Sequence, residues 1–416
     1  MLNIFSYLFL SVVLGGAVIK IWLAHRQAQS ATLNRNVVPH AFADDIPLEA
    51  HQKAADYTKA KMKLSQKATV VECALLLALT FGGVLNWAYE VSLMFTNEGV
   101  TSALLFFGIL VMITSLIELP LDLYKTFVLE EKFGFNKMNL ALFFKDLFLG
   151  LVVAAIIGGI FISAILWVME IAGPSWWLYA WALSMGFWFF MQYISPTVLA
   201  PLFNKFTPLE DSDLKQRIEM LLHKCGFQSS GLYVMDGSKR SSHGNAYFTG
   251  FGKAKRIVFF DTLINKHETN QIEAVLAHEL GHFKLNHVLK MTFFLVFISL
   301  IFFWALGAAQ NEIYLFEGLK INFHSANAML LAMFYFVLPP FLFFIRPIFA
   351  AYLRKNEFEA DAYAAKHAPA KDLISALVKL YKDNSSTLTP DTIYSGFYDS
   401  HPSASSRIAR LQAFNQ

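Results

Sequence analysis

Long apolar runs alternate with polar segments along this chain of 416 residues. A helix needs about 20 apolar residues to cross the hydrocarbon core of a bilayer. Seven runs meet that length, at about 2–24, 68–95, 101–123, 146–170, 175–201, 291–312 and 328–350. The pattern therefore predicts a mainly α-helical, multi-pass membrane protein with seven transmembrane helices. We expect a polar loop at 25–67 and two larger polar regions, 204–290 and 354–416, to lie outside the bilayer.

The composition agrees with a membrane protein, because 56% of the residues are hydrophobic and only 16% are charged. Soluble domains carry about 25% charged residues. The net charge of +3 is too small to indicate a nucleic-acid partner. Charged side chains within or at the ends of spans are costly in lipid, so we expect them to face a polar interior or one another. These residues are Glu72, Glu90, Glu118, Asp122, Asp146, Glu170 and Arg346.

Lysine and arginine residues are concentrated on one side of the predicted spans. The segments 25–67, 124–145, 204–290 and 354–416 carry 7, 4, 12 and 8 of them, respectively. The segments at the opposite ends of the spans, 96–100, 171–174 and 313–327, carry only Lys320. Because basic loops remain in the cytosol, we expect the N-terminus outside and both large polar regions and the C-terminus in the cytosol.

The segment "LAHELGHFKLNH", residues 276–287, precedes the sixth predicted span. A helix is predicted to begin near Asn270, which is a good N-cap residue and forms a capping-box pattern with Glu273. His278 and His282 are four residues apart and share one helical face, so both can bind one metal ion. Glu279 lies beside that face. When zinc acidifies a bound water, a carboxylate there can remove its proton, as in metal-dependent peptide hydrolysis.

A catalytic zinc site usually has a third protein ligand, and "RKNEFEADAYAAKHA" after the seventh span offers carboxylates. Glu357 and Asp361 share a helical face, so Glu357 can complete the ligand set while Asp361 accepts the second N–H of a ligand histidine. Spacing alone still leaves a choice among these carboxylates. Glu359 points away and is predicted to be solvated. His287 lies about 180° from His278 on a continuous helix, so it is left out as a surface or packing histidine.

Long motifs resemble the seven-span CAAX prenyl endopeptidases, which are membrane zinc metallopeptidases that process prenylated proteins. They are "LEAHQKAADYTKAK", "LPLDLYKTFVLEEKFGFNK", "GSKRSSHGNAYFTGFGKAKRIVFFDTL", "HELGH", "NEFEADAYA" and "YSGFYDSHPSASSRIARL". The resemblance covers nearly the whole chain. It implies that the spans enclose a large water-filled chamber, with the zinc site facing it near the cytosolic end.

The resemblance also implies a role for each matching residue. Glu357 is the third zinc ligand, and Asp361 supports a ligand histidine. Asn245 and His401 contact the substrate, and His401 also stabilises the developing oxyanion. Arg407 organises the site, although a structural salt bridge is an equal alternative.

The residues before the zinc helix indicate a small sheet. "GLYVMD", "NAYFTG" and "RIVFFDTL" are short β-prone runs separated by glycine, serine and basic residues. An edge strand of this sheet can pair with an extended peptide. Read without the resemblance, Asn245 is better explained as a turn residue and His401 as the end of a loop. His243 is read as a loop residue rather than a metal ligand.

Together these features predict four parts of the chain. Residues 1–203 form transmembrane helices 1–5, 204–290 form a small α+β zinc-metallopeptidase part, 291–353 form helices 6 and 7, and 354–416 carry the third ligand and the C-terminal substrate-binding motif. The expected function is a monomeric zinc endopeptidase in the bacterial inner membrane, or in the endoplasmic reticulum membrane of a eukaryote. Its expected substrates are prenylated proteins cleaved at the C-terminus, or membrane-associated and unfolded peptides.

Two other classes of membrane protein also use such residues. A metal transporter or a non-catalytic metal-binding protein is disfavoured because the spans hold no cluster of histidine and aspartate. A protease that cleaves within the membrane is disfavoured because the HExxH helix is charged and precedes the span.

Overall fold

The computed structural model describes residues 2–250, 255–322 and 327–415 and is dominated by helices. The predicted outer segment 313–327 and the quoted motif at 237–263 therefore lie partly outside the described residues. The helices of the N-terminal half are α1 (Ile4–Leu33), α2 (Leu48–Leu79), α3 (Val84–Phe95), α4 (Val100–Tyr124), α5 (Leu140–Ile171), α6 (Trp176–Ile194) and α7 (Ala200–Phe203).

The next part of the chain combines short strands with helices. It consists of β1 (Phe206–Pro208), α8 (Asp213–Lys224), β2 (Gly231–Met235), β3 (Ala246–Thr249), β4 (Arg256–Phe260), α9 (Asp261–Ile264) and α10 (Thr269–Lys284). The remaining helices are α11 (His287–Ala309), α12 (Ile313–Gly318), α13 (Asn327–Phe343), α14 (Arg346–His367), α15 (Ala370–Asp383), α16 (Thr392–Tyr398) and α17 (Ala404–Gln412).

Four helices in the described part of the chain are long and apolar enough to cross a membrane. These are α1, α4 with its π-helical continuation to Glu130, α5 and α11. Two bent pairs, α2 with α3 and α13 with α14, raise the number to six if each pair is one span. The protein is therefore a multi-pass membrane protein. The helix α6 occupies the predicted fifth span but is not among these six, so the count of seven stays a prediction.

The second predicted span differs most from the structure. The helix α2 begins at Leu48 and runs through a segment that the sequence analysis assigned to a polar loop. Several of its residues in this segment are buried at helical spacing: His51, Ala54, Ala55, Thr58 and Met62. The apolar run then breaks between α2 and α3, with a bend of 58°. Gly83 accommodates this bend with a φ of 77°, a conformation that costs glycine little.

The membrane helices surround an apolar cavity of about 1030 Å³. Two of the predicted intramembrane charges, Glu72 and Glu118, line it, and Glu72 pairs with Lys20 at 3.4 Å. Asp146 instead forms a two-pronged ion pair with Arg240, at 2.8 and 3.0 Å, and thereby joins α5 to the loop before β3. These three of the seven predicted charges thus meet a partner or the cavity, which lowers the cost of burying them among the membrane helices.

The strands form one four-stranded sheet in the order β1-β2-β4-β3. The three predicted β-prone runs are confirmed as β2, β3 and β4, and β1 is an addition that the sequence analysis missed. The strands β2 and β4 are parallel, whereas β3 pairs antiparallel with β4 and forms an edge of the sheet. Apolar residues of α8, α10, α15 and the sheet form the core beneath the candidate site.

Candidate active site

The helix α10 carries the HExxH residues and begins at Thr269. Its capping box is formed by Glu268 and Gln271, so the predicted cap by Asn270 and Glu273 is wrong. Both of those side chains instead contact neighbouring helices. Asn270 donates a hydrogen bond to Asp372 of α15, and Glu273 forms an ion pair with Arg217 of α8. The helix is therefore fixed to the catalytic core through the residues that the sequence analysis assigned to its cap.

Three side chains converge on one point between α10 and α14, as the sequence analysis predicts. His278 Nε2 and His282 Nε2 are 3.3 Å apart. Glu357 Oε2 lies 3.4 Å from His278 Nε2, and Glu357 Oε1 lies 3.3 Å from His282 Nε2. Ligands bound tetrahedrally at 2.0–2.1 Å from zinc are separated by about 3.3 Å. The triangle therefore has the dimensions of three ligands around one such ion.

The charges around this triangle also fit a cation. His278 and Glu357 are both buried, and Glu357 Oε2 has no hydrogen-bond partner in the described part of the chain. Asp361 Oδ1 lies 2.9 Å from His278 Nδ1 and so directs Nε2 into the triangle. Arg407 donates to both oxygens of Asp361, at 2.9 and 2.6 Å. Two buried carboxylates thus face one guanidinium, and the remaining negative charge favours a bound cation.

The close approach of α10 and α14 depends on the glycine of the HELGH sequence. A Cβ atom at Gly281 would lie 3.0 Å from Ala360 Cα and 3.1 Å from Tyr363 Cβ. Ala360 Cα is a backbone atom, so a change of side-chain rotamer cannot relieve this contact. A side chain at this position would therefore push apart the two helices that bring the ligands together.

The remaining predicted site residues line a cavity of about 570 Å³ that includes His278. Glu279, Asn245 and His401 all contribute to its wall. His401 Nε2 lies 3.4 Å from Glu357 Oε1, and 61% of the His401 side chain is exposed to the cavity. Enclosure by the cavity walls lowers the pKa of His401, which favours the neutral imidazole. Asn245 Oδ1 accepts from the backbone N–H of Ala246 at 2.9 Å, which leaves its amide donors for a ligand.

His243 fixes the loop that carries Asn245. Its ring stacks on Phe135 with 4.3 Å between centroids, and its Nδ1 lies 3.0 Å from Asn384 Oδ1. Its Nε2 lies 3.6 Å from a carboxylate oxygen of Glu130. His243 is thus a loop residue, as predicted, and it ties the loop to the membrane helices and to the C-terminal part.

His287 is a residue that the sequence analysis missed. It is buried, with Nδ1 3.1 Å from His282 Nδ1 and Nε2 3.0 Å from Glu359 Oε2. The prediction assumed one continuous helix, but α10 ends at Lys284 and Asn286 adopts a left-handed conformation with φ 57°. The bend turns His287 back onto a predicted metal ligand. It also gives Glu359 a partner, although that carboxylate was predicted to be solvated. The asparagine before a histidine is the signal that could have revealed this turn.

Comparison with known proteins identifies similar chains over nearly the full length. Residues 27–205 match the model described as "CAAX prenyl protease N-terminal, five membrane helices", and residues 208–415 match "Peptidase family M48". The chain is 32% identical to CAAX prenyl protease 1 of Saccharomyces cerevisiae, across 94% of this chain and 91% of that protein. It is 34% identical to the homolog from Arabidopsis thaliana, across 92% of each. The crystal structure of S. mikatae Ste24p superimposes with a TM-score of 0.89 at 32% identity, covering 98% of this chain and 99% of that one.

Replacing Gly281 by alanine should separate the two ligand-bearing helices. We expect Gly281→Ala to lower the free energy of unfolding by about 1–3 kcal/mol, the usual cost of overpacking, and to weaken metal binding. Thermal unfolding and metal retention during titration with a chelator would measure both. Gly150→Ala is the matched control, because a Cβ there meets no atom within 4 Å. Equal metal retention by both variants and the parent would contradict this account.

Metal uptake should depend on pH through His278. Burial lowers the pKa of His278, but the neighbouring carboxylates of Asp361 and Glu357 outweigh burial and raise the pKa from 6.5 to about 9. This proton therefore stabilises the metal-free fold fully below pH 6.5, and the contribution is lost as the pH rises through about 9. Because a metal must displace the proton, we expect apparent affinity to rise with pH up to about 9. Isothermal titration calorimetry in two buffers would count released protons; an affinity independent of pH would contradict the assignment.

Proposed function

The chain belongs to the M48 peptidase family, with the N-terminal membrane region of CAAX prenyl proteases, and we propose that this membrane metalloendopeptidase uses zinc to process the C-termini of prenylated proteins. One observation carries the proposal. His278, one member of the triangle of two histidines and one glutamate, lines a cavity together with Glu279, a carboxylate outside the triangle, and with two side chains able to donate hydrogen bonds, Asn245 and His401.

His278, His282 and Glu357 are the proposed ligands of the metal. A bound zinc ion supplies Lewis acidity, which polarises a peptide carbonyl and acidifies water. Asp361 holds the His278 ring in the tautomer with Nε2 free, and Arg407 fixes Asp361 in turn. These buried contacts leave the ligands little freedom to reorient, which is the condition for a preorganised catalytic site.

Glu279 is the proposed general base and acid. It lines the cavity next to a ligand histidine and is not part of the triangle, so it is available to take a proton from the attacking water. It then returns the proton to the leaving amine. The free amide donors of Asn245 would bind the substrate backbone. His401 would donate to the oxygen that gains negative charge as the peptide bond is attacked.

The proposed substrates follow from the relatives and from the cavity within the membrane. The curated relatives are named CAAX prenyl proteases. The apolar cavity of about 1030 Å³ among the helices is suited to an isoprenoid chain. The concentration of basic residues supports the orientation proposed from sequence, with both catalytic parts in the cytosol. The proposal applies to the single chain, in a bacterial inner membrane or an endoplasmic reticulum membrane.

Replacing Glu279 by alanine should abolish cleavage without removing the metal. We expect detergent-purified wild type to contain about one zinc per chain and to cleave a quenched prenylated CAAX peptide. Glu279→Ala should retain the zinc and lose at least about 10²-fold in kcat, because general acid–base catalysis contributes 10²–10⁴-fold. Glu219→Ala, an exposed carboxylate on α8, is the control.

An unprenylated version of the peptide tests the substrate class in the same assay. Cleavage of the prenylated peptide alone would support CAAX processing. Equal cleavage of both peptides would retain the endopeptidase and reject the requirement for prenylation. Bound zinc without any cleavage that depends on Glu279 would contradict the proposed mechanism and favour a transport or scaffolding role. A preparation that stays free of metal under metal-replete conditions would reject the ligand assignment.

A further inference from the structure

Lys61 lies on the face of α2 that enters the catalytic cavity. Tyr57, Thr58, Lys61 and Met62 all line this cavity, and their spacing is that of one helical face. The cavity also contains His278 and Glu279. Lys61 is exposed, and the surface that it presents is part of the cavity wall. The helix that sequence patterning assigned to a loop therefore brings an ammonium group into the active site.

Lys61 is held in place without a direct ion pair. Its Nζ lies 4.8 Å from the centroid of the Tyr57 ring, and no carboxylate in the described part of the chain lies within 4.0 Å. Tyr57 is itself buried and donates a hydrogen bond of 2.7 Å to Glu130 Oε1. Glu130 attracts Lys61 electrostatically without contacting it. Because a cation–π contact uses no N–H group, the three donors of the ammonium remain available to a ligand.

Lys61 differs from Arg407, the other long basic side chain of the cavity. Among the described lining residues, Lys61 and Arg407 are the lysine and arginine side chains. Arg407 is buried and committed to Asp361 through two hydrogen bonds. Glu279 and Asp399 line the same cavity and would repel an anion. Lys61 is therefore the basic side chain of this cavity that remains available to pair with an anionic group.

We propose that Lys61 binds the C-terminal carboxylate of the peptide substrate. This inference rests on the proposed function, in which the leaving fragment is the last three residues and keeps the carboxylate of the substrate. Three extended residues span about 10 Å, so the carboxylate stays within a short reach of the scissile bond. A cavity of about 570 Å³ is in the range that encloses a ligand of this size. Lys61 would thus select chain ends over internal peptide bonds.

The carboxylate contact has a measurable signature in substrate preference. Hydrogen bonds between charged groups contribute enough to change affinity by about tenfold or more. Binding energy of this kind acts equally on the bound substrate and the transition state, so its loss raises KM with little change in kcat. A purely structural role for Lys61, through Tyr57 and Glu130, would instead lower activity towards every peptide alike.

The test compares two prenylated CAAX peptides that differ only at the C-terminus, one a free acid and one a carboxamide. Wild type, Lys61→Met, Lys61→Arg and the matched control Lys63→Met are purified as full-length, metal-replete protein. Lys63 is exposed on the same helix and does not line the cavity. We expect wild type and Lys63→Met to prefer the acid by at least about tenfold in kcat/KM. Lys61→Met should lose that preference through a higher KM for the acid, and Lys61→Arg should keep most of it.

Each outcome separates this inference from the proposed function. Equal cleavage of the acid and the amide by wild type would overturn the role of Lys61 while leaving CAAX processing intact. An equal loss on both peptides in Lys61→Met would also overturn it and indicate a structural role. Failure of wild type to cleave either prenylated peptide, while it cleaves other peptides in a manner that depends on Glu279, would reject CAAX processing itself.

Discussion

The contact between α10 and α14 is the constraint on which the rest of this structure depends. The two helices are separated in sequence by two membrane segments, yet their backbones approach so closely that a Cβ added at Gly281 would lie only 3.0 Å from Ala360 Cα. This approach brings the imidazoles of one helix within 3.4 Å of a carboxylate on the other. The triangle of ligands therefore forms only when the membrane helices α11 and α13, which lie between α10 and α14 in the sequence, are packed in their correct positions.

The buried charges around the triangle explain why several parts of the chain must assemble together. The buried carboxylate of Asp361 depends on the guanidinium of Arg407, which lies on the short C-terminal helix α17. Arg26 on α1 likewise binds Asp391, at 2.8 Å, and holds the C-terminal part against the first membrane helix. Removing one partner of such a pair leaves an uncompensated charge, which costs far more than the pair contributes. The site and the membrane bundle are consequently one cooperative unit.

Sequence reasoning predicted the parts of this protein that depend on local spacing. The four-residue interval of His278 and His282 fixes their common face in any helix, and the apolar runs locate most of the membrane helices. Spacing could not choose Glu357 over its neighbours, because that choice depends on where α14 lies relative to α10. The polar half of α2 was missed because most of its buried residues are small or polar, namely alanine, threonine and histidine, with only one tyrosine and one methionine among them. The role of His287 was missed because one left-handed residue reverses the direction of a side chain.

The two-residue connection between α10 and α11 has a mechanical consequence. Leu285 and Asn286 are all that separate the HExxH helix from a helix long and apolar enough to cross the bilayer, and His287, the first residue of that helix, touches His282. Transmembrane helices adjust their tilt when the hydrocarbon thickness around them changes. Any tilt of α11 moves His287 and alters its contact with an imidazole of the triangle. The thickness of the surrounding bilayer can thereby affect the position of the His282 imidazole. In this sense the bilayer is part of the support that holds the site in place.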